Sequence, residues 1–257
     1  MRSTLVRRSV MTASAVSLAL LATACGSDSG KDAPKTDAKA SSSAVAEAPA
    51  AKAKTDAELA KLIVVQGDVA DHTVKEATKA EAAAGAAATS DKAECKVLVQ
   101  AQAFAAIGTP AGAARTKIVA NPKAPGPNAT DEEKLAAAMG ALGSTATAVT
   151  LTSYDGKGAE EAFASLKTAG TACAGGYSAT QAGETTKMTS VAPGAAVTAG
   201  DESLAYTVVG DADGEKLTTQ LVAVRKGNTL ATFSSLSLTG TAEQPKAVVE
   251  AQVKKLG

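Results

Sequence analysis

The N-terminal 25 residues decide where the rest of this chain folds, and so which bonds its cysteines form. Arg2, Arg7 and Arg8 make a positive start, which the membrane potential holds on the cytoplasmic side. Val10 to Ala24 is an apolar run of 15 residues, short of the roughly 20 a bilayer-spanning helix needs, and it stops at a cysteine, Cys25. A charged start, a short apolar stretch and small residues before a Cys read as an export leader, 1–24, removed from the mature protein. The body then folds in an oxidising exterior, with Cys95 and Cys173 as its remaining cysteines. An even pair there is expected to form a disulfide. Closing a loop of 78 residues contributes on the order of 4.5 kcal/mol in the chain-entropy model. The alternatives are two separate thiols or a redox-active pair. Redox chemistry favours a close Cys-x-x-Cys spacing, which is absent, so a structural staple is the better reading.

Leu21-Ala22-Thr23-Ala24-Cys25 resembles a bacterial lipobox, with Ala22 where Leu is usual and Leu one place further out. The resemblance implies cleavage before Cys25 and diacylglycerol on its sulfur, and Gly26-Ser27-Asp28-Ser29-Gly30 is the polar spacer that such lipoproteins carry. More than one acyl chain on one residue is enough for stable attachment. The expected location is therefore the outer face of the cytoplasmic membrane. Arg7-Arg8 also resembles a loose twin-arginine signal, so the export route stays open between the two pathways.

Residues 25–54 form a polar tether of Ser, Ala, Lys, Asp and Pro, too poor in large apolar side chains to order itself. Residues 55–257 are the length of one domain. Removing the leader leaves 23 bases against 26 acids, a net charge of −3. That balance excludes the basic field of a nucleic-acid binder and leaves acyl chains alone to hold the protein on lipid. One His and so few Cys give no multi-ligand zinc site, and no cofactor is expected.

Within the body, Thr55-x-x-Glu58 and Thr130-x-x-Glu133 are capping boxes. They open helices carrying Leu59, Leu62 and Ile63, and Leu135, Met139 and Leu142. Further helices are expected over Asp91–Ala106 and Gly158–Cys173, with Cys95 and Cys173 on their core faces. Ala80 to Ser90 reads as a weakly specified connector. Strands are expected at Thr73–Ala77, Arg115–Ala120, Thr145–Tyr154, Thr185–Val191, Ser203–Val209, Leu217–Arg225 and Thr229–Leu238. Lys226-Gly227-Asn228 supplies a tight turn between the last two. A closing helix after Pro245 has the stripe Val249, Val253 and Leu256. The expected class is α+β, a largely antiparallel sheet packed by helices with one disulfide.

Motifs suggestive of chemistry weigh little. Gly156-Lys157-Gly158 lies between a strand and a helix, but Glu160 and Glu161 occupy the dipole a pyrophosphate would use. Asp211-Ala212-Asp213-Gly214-Glu215 begins like a calcium loop, yet its twelfth position is Val222, so the bidentate Glu is missing. His72 has no Gly-x-Ser-x-Gly or Ser-x-x-Lys partner motif. Aromatic poverty argues against stacking platforms for sugars or single strands. Phe104, Phe163 and Phe233 fall at core-like positions, whereas Tyr154 and Tyr177 stand beside turns and are the candidate binding residues, flanking a cleft.

Glu94-Cys95 opening a helix, Thr150 to Tyr154 as a strand, Ala162-Phe163-x-x-Leu166 running to Cys173, the pair around Arg225 to Asn228, and Gln252-x-x-Lys255-Leu256 together resemble the extracellular sensor domain of PknH-type receptor kinases, across residues 90–257. The resemblance implies a sheet packed by helices with a cleft for a small ligand. The expected function is a non-enzymatic, membrane-anchored ligand-binding or sensor-like module whose partners are membrane lipid through Cys25 and a small ligand. The rivals are an assembly partner of a cell-envelope protein and a hydrolase with an unrecognised site.

Overall fold

The computed structural model describes residues 52–257, apart from 123, 213 and 238–240. The leader, Cys25 and the tether as far as residue 51 lie outside the described residues.

The Thr55–Glu58 capping box forms as the sequence suggests and opens α1 (Asp56–Leu62). Strand β1 (His72–Glu76) follows. The expected connector is instead a helix, α2 (Lys79–Ala86), opened by a second capping box of Thr78 and Glu81. The long helix expected over Asp91–Ala106 is shorter. Strand β2 (Thr89–Ser90) precedes it, and the span itself holds a 3-10 turn at Ala93–Cys95 and α3 (Lys96–Gln102). It stops there because Phe104 takes φ +57°, which no helix can continue through.

Next come β3 (Gly112–Ala120), α4 (Asp131–Leu142), β4 (Ala146–Ser153) and α5 (Gly158–Ala172). Strand β5 (Tyr177–Gln181) was not expected; it is a polar strand paired with β6 (Glu184–Pro193). Ala182 and Gly183, with φ of +52° and +86°, make the tight turn between them. The chain finishes with β7 (Glu202–Ala212), β8 (Glu215–Lys226), β9 (Thr229–Leu236) and α6 (Lys246–Leu256).

All nine strands join one sheet in the order β1-β3-β4-β9-β8-β7-β6-β5-β2. Every pairing is antiparallel. Helices cover both faces, so the central strands are apolar on both sides rather than alternating. Strand β8 shows why: Leu221 and Ala223 face one core, Val222 and Val224 the other. On the first face, Leu98 and Val99 of α3 and Phe163 and Leu166 of α5 pack on Leu221, Leu230 and Val208. On the second, Leu59 of α1 and Val248 and Val249 of α6 pack on Val149, Leu151 and Phe233.

Two cross-links tie helices to this frame. Cys95 and Cys173 form the expected disulfide, with Cα atoms 5.9 Å apart, joining the start of α3 to the end of α5. The fully buried Gln252 of α6 accepts from Val64 N–H at 3.0 Å and donates to Leu62 C=O at 2.8 Å. That amide satisfies backbone groups freed at the end of α1.

Residues 52–54, read from sequence as the end of the tether, are bound to the body. Lys54 N–H donates to Ser153 Oγ at 3.0 Å, and Ala53 N–H to Asp155 Oδ1 at 3.1 Å. Asn228 Nδ2 in turn donates to the Lys52 carbonyl at 2.9 Å.

Candidate functional site

The two helices on the first face cover only part of it. Strand register shows what remains open. Partners directly opposite in a sheet share a face. The row Lys117–Ala148–Ser234 crosses β3, β4 and β9, and the row Val119–Ala146–Leu236–Thr219 crosses β3, β4, β9 and β8. Leu217, Gly210 and Met188 continue the surface across β8, β7 and β6. These residues floor a cavity of about 550 Å³, and Val99, Gln102, Ala103 and Phe104 from the end of α3 form its wall. The volume is that of a small-molecule site. All these strands contribute from the same end, the one carrying the β5–β6 and β7–β8 turns and the α4 connection.

Small side chains create the space. Ala146, Ala148 and Gly210 stand where larger ones would fill the trough. Gly210 has Met188 Sδ 3.2 Å from where a Cβ would sit, so the floor is in contact with its neighbours but low. Phe104, placed in the core by the sequence reading, is half-buried and lines the cavity instead. Arg115 Nε donates to its carbonyl at 2.5 Å, holding the residue in its left-handed conformation. Burial pulls the Arg115 guanidinium below its usual pKa.

The electrostatics of the lining are close to neutral. Lys117 is the cation on the floor, and its Nζ lies 2.6 Å from Glu81 Oε1 of α2. The Lys117 ammonium, together with the Thr78 N–H and hydroxyl, pulls the Glu81 carboxyl down to about 2. Glu184 is an exposed acid on the rim. The polar atoms offered to an occupant are therefore mainly neutral: the hydroxyls of Thr219 and Ser234 and the amide of Gln102.

Tyr154 and Tyr177 are both buried in the first core and neither lines the cavity. Tyr154 OH donates to the Ile107 carbonyl at 2.7 Å and accepts from Thr152 Oγ1 at 3.1 Å. Tyr177 OH donates to Gln102 Oε1 at 2.8 Å. Burial raises both phenols above the ordinary tyrosine value, Tyr177 strongly. Tyr177 thus reaches the cavity indirectly, by orienting Gln102. No single sequence signal marked the cavity, because its parts lie on seven strands and belong to no motif.

A second groove of about 600 Å³ runs between α1, β1 and the start of α2. His72 Nδ1 sits 2.6 Å from the Ala70 carbonyl at the outer edge of the sheet, far along the strand order from the central strands. Asp211 Oδ1 accepts from Gly214 N–H at 2.8 Å within the β7–β8 turn, while Asp213 lies outside the described residues. Lys157 caps α5, and Gly158 is pressed so close to Tyr154 that a Cβ would lie 2.9 Å from the tyrosine Cβ. Among the described residues no group of three or more His, Cys, Asp and Glu is placed to hold a metal ion. Among them, too, no helix is long and apolar enough to cross a membrane.

No protein-family model matches the chain. No curated protein matches it either. Among solved structures it is similar to the extracellular domain of PknH from Mycobacterium tuberculosis, with a TM-score of 0.47 and 14% identity over 80% of this chain and 97% of that one.

Proposed function

We propose that this chain is a non-enzymatic, lipid-anchored module on the outer face of the cytoplasmic membrane, and that the cavity on the first sheet face binds its small-molecule ligand. The observation that carries the reading is the cavity itself: about 550 Å³, with a floor contributed by neighbouring strands of one sheet and lowered by Ala146, Ala148 and Gly210. The disulfide supports folding outside the cytoplasm. The lining supports binding rather than catalysis. The described lining carries no histidine, Lys117 is engaged by Glu81, and the carboxylate of Glu184 is exposed on the rim.

A thermal-shift screen of small molecules and envelope lipids tests the site. A selective ligand raises the melting temperature by mass action, and Ala146→Phe, which fills the floor from an exposed position, abolishes the rise. A rise of the same size in that variant would place the ligand elsewhere. Intact-mass analysis of membrane-extracted protein tests the anchor. The expected mass is that of a chain beginning at an acylated Cys25, and Cys25→Ser is expected in the medium. A leader still attached, or a Cys25→Ser protein retained on the membrane, would overturn it.

A further inference from the structure

Among the described residues, helix α4 packs extensively on no other element. None of its described residues is buried, and Leu135 and Met139, on one face at i and i+4, are 65% and 61% exposed. Two large apolar side chains held out on a helix mark a surface awaiting an occupant. The helix is capped and regular, with Thr130 and Glu133 closing its first turn, so it is built to be used as a unit.

Its attachment shows where it belongs. The Gly143 carbonyl, just after α4, accepts from Ser237 Oγ at 2.9 Å, and the Thr145 carbonyl accepts from Ala120 N–H at 3.1 Å. One end of α4 is thus pinned where β3, β4 and β9 meet the cavity. The other end hangs on a loop with Pro122, Pro125 and Pro127. Twelve residues make a rod of about 18 Å. Strands lie about 4.8 Å apart, so a rod pivoting at Gly143 spans β9, β8 and β7. Met139 then lies about 6 Å from the pivot and Leu135 about 12 Å. Those distances set Met139 over Leu236 and Leu135 over Leu217 and Gly210, on the open side of the cavity.

A membrane surface is a poor alternative for this face. Helices that lie in anionic lipid carry Lys and Arg on their polar side. The first turns of α4 hold Asp131, Glu132 and Glu133, with Lys134 as the one base.

We propose that α4 is a lid, which folds about Gly143 to close the cavity over a neutral single-chain amphiphile, with Leu135 and Met139 packing on the chain. The ligand class follows from the lining. Val99, Phe104, Val119, Met188, Leu217 and Leu236 suit an alkyl chain, and Thr219, Ser234 and Gln102 suit a hydroxylated head. Lys117 is engaged by Glu81, and Glu184 on the rim repels an anionic head. The inference rests on the reading of the cavity as the ligand site.

The chain contains no Trp, so Met139→Trp introduces a lone reporter on the lid. The probe is 1-monodecanoylglycerol below its micellar concentration, with decanoate as the charged counterpart. Expected is a blue shift of Trp emission that saturates together with heat released on binding. Decanoate binds about tenfold more weakly, and the exposed-site variant Leu135→Ser binds monodecanoylglycerol about tenfold more weakly at an unchanged melting temperature. Calorimetric binding without an emission shift overturns the lid and leaves the cavity reading standing. A shift that survives Ala146→Phe, or one produced only by anionic phosphatidylglycerol vesicles, overturns the lid in favour of a surface contact. Absence of monodecanoylglycerol binding, when the thermal-shift screen finds another ligand, overturns the ligand class. Absence of any ligand removes the cavity reading with it.

Discussion

Single residues carry much of this fold's cohesion because the side chains are small and few. Gln252 shows it best. Its amide meets a donor and an acceptor at the end of α1 from a fully buried position, so Gln252→Leu leaves Val64 N–H and Leu62 C=O unpaired. Urea denaturation is expected to show a loss of about 2–3 kcal/mol, more than an apolar replacement of similar size costs elsewhere in the core. Glu81 gives a pH signature. Its carboxyl falls from an ordinary 4.5 to about 2 on folding, because Lys117 and Thr78 hold the charged form. The folded protein therefore releases that proton more readily than the unfolded chain. Its stabilising effect is complete above about pH 4.5 and fades as pH falls toward 2. The protection of α2 and β3 amides against hydrogen exchange, corrected for the intrinsic rate at each pH, is expected to fall across that window, and Glu81→Gln should remove that part of the acid dependence. Equal pH profiles in the two proteins would show that the Lys117 contact does not hold α2.

At the scale of elements, close approach sets the geometry. Gly170 of α5 lies under Tyr206, where a Cβ would fall 2.1 Å from the ring carbon Cζ. Gly170→Ala is expected to cost about 1–3 kcal/mol by pushing the half-buried Tyr206 ring off the helix, read as a lower denaturation midpoint at unchanged slope. Gly85 of α2 is pressed against the Ala103 carbonyl, which a Cβ would overlap, and Ala103 neighbours Phe104 in the cavity wall. Gly85→Ala is expected to displace α2 and weaken ligand binding while the sheet stays intact, as amide exchange would show. The elements themselves were legible where a local rule spoke. The Thr55 and Thr130 capping boxes mark α1 and α4, and the apolar periodicity of α5 matches the face it buries, whereas in α6 the expected stripe is buried at Val249 alone, with Val248 and Gln252 beside it and Val253 and Leu256 half-buried. Thr78-x-x-Glu81 carries the same signal, and only the Ala-rich run after it hid α2. Phe104 defeated the reading of α3 because a positive φ at a non-glycine residue is imposed by Arg115 and the packing around it, not by local preference. Tyr177 to Gln181 carries too little apolar alternation to be expected as a strand, and it becomes β5 by pairing with β6. The cavity was illegible for a related reason: Lys117, Ala148 and Ser234 are neighbours only once register is fixed.

For the molecule as a whole, one sheet separates two cores, and the disulfide belongs to the first of them. Reducing Cys95–Cys173 is expected to lower unfolding free energy by up to about 4.5 kcal/mol, with the effect measured by urea titration with and without reductant. Because the bridge joins α3 to α5, ligand affinity should fall with it, since α3 walls the cavity. The sheet also has two unlike ends. Strand β4 begins at Ala146 on the cavity floor and finishes at Ser153, which grips Lys54. Eight residues of strand put roughly 24 Å between them. A pull on the chain at Lys54 would load the Ser153 end of β4 first, with the cavity at the far end of the strand. Tension drawn along the strands would then reach that site last.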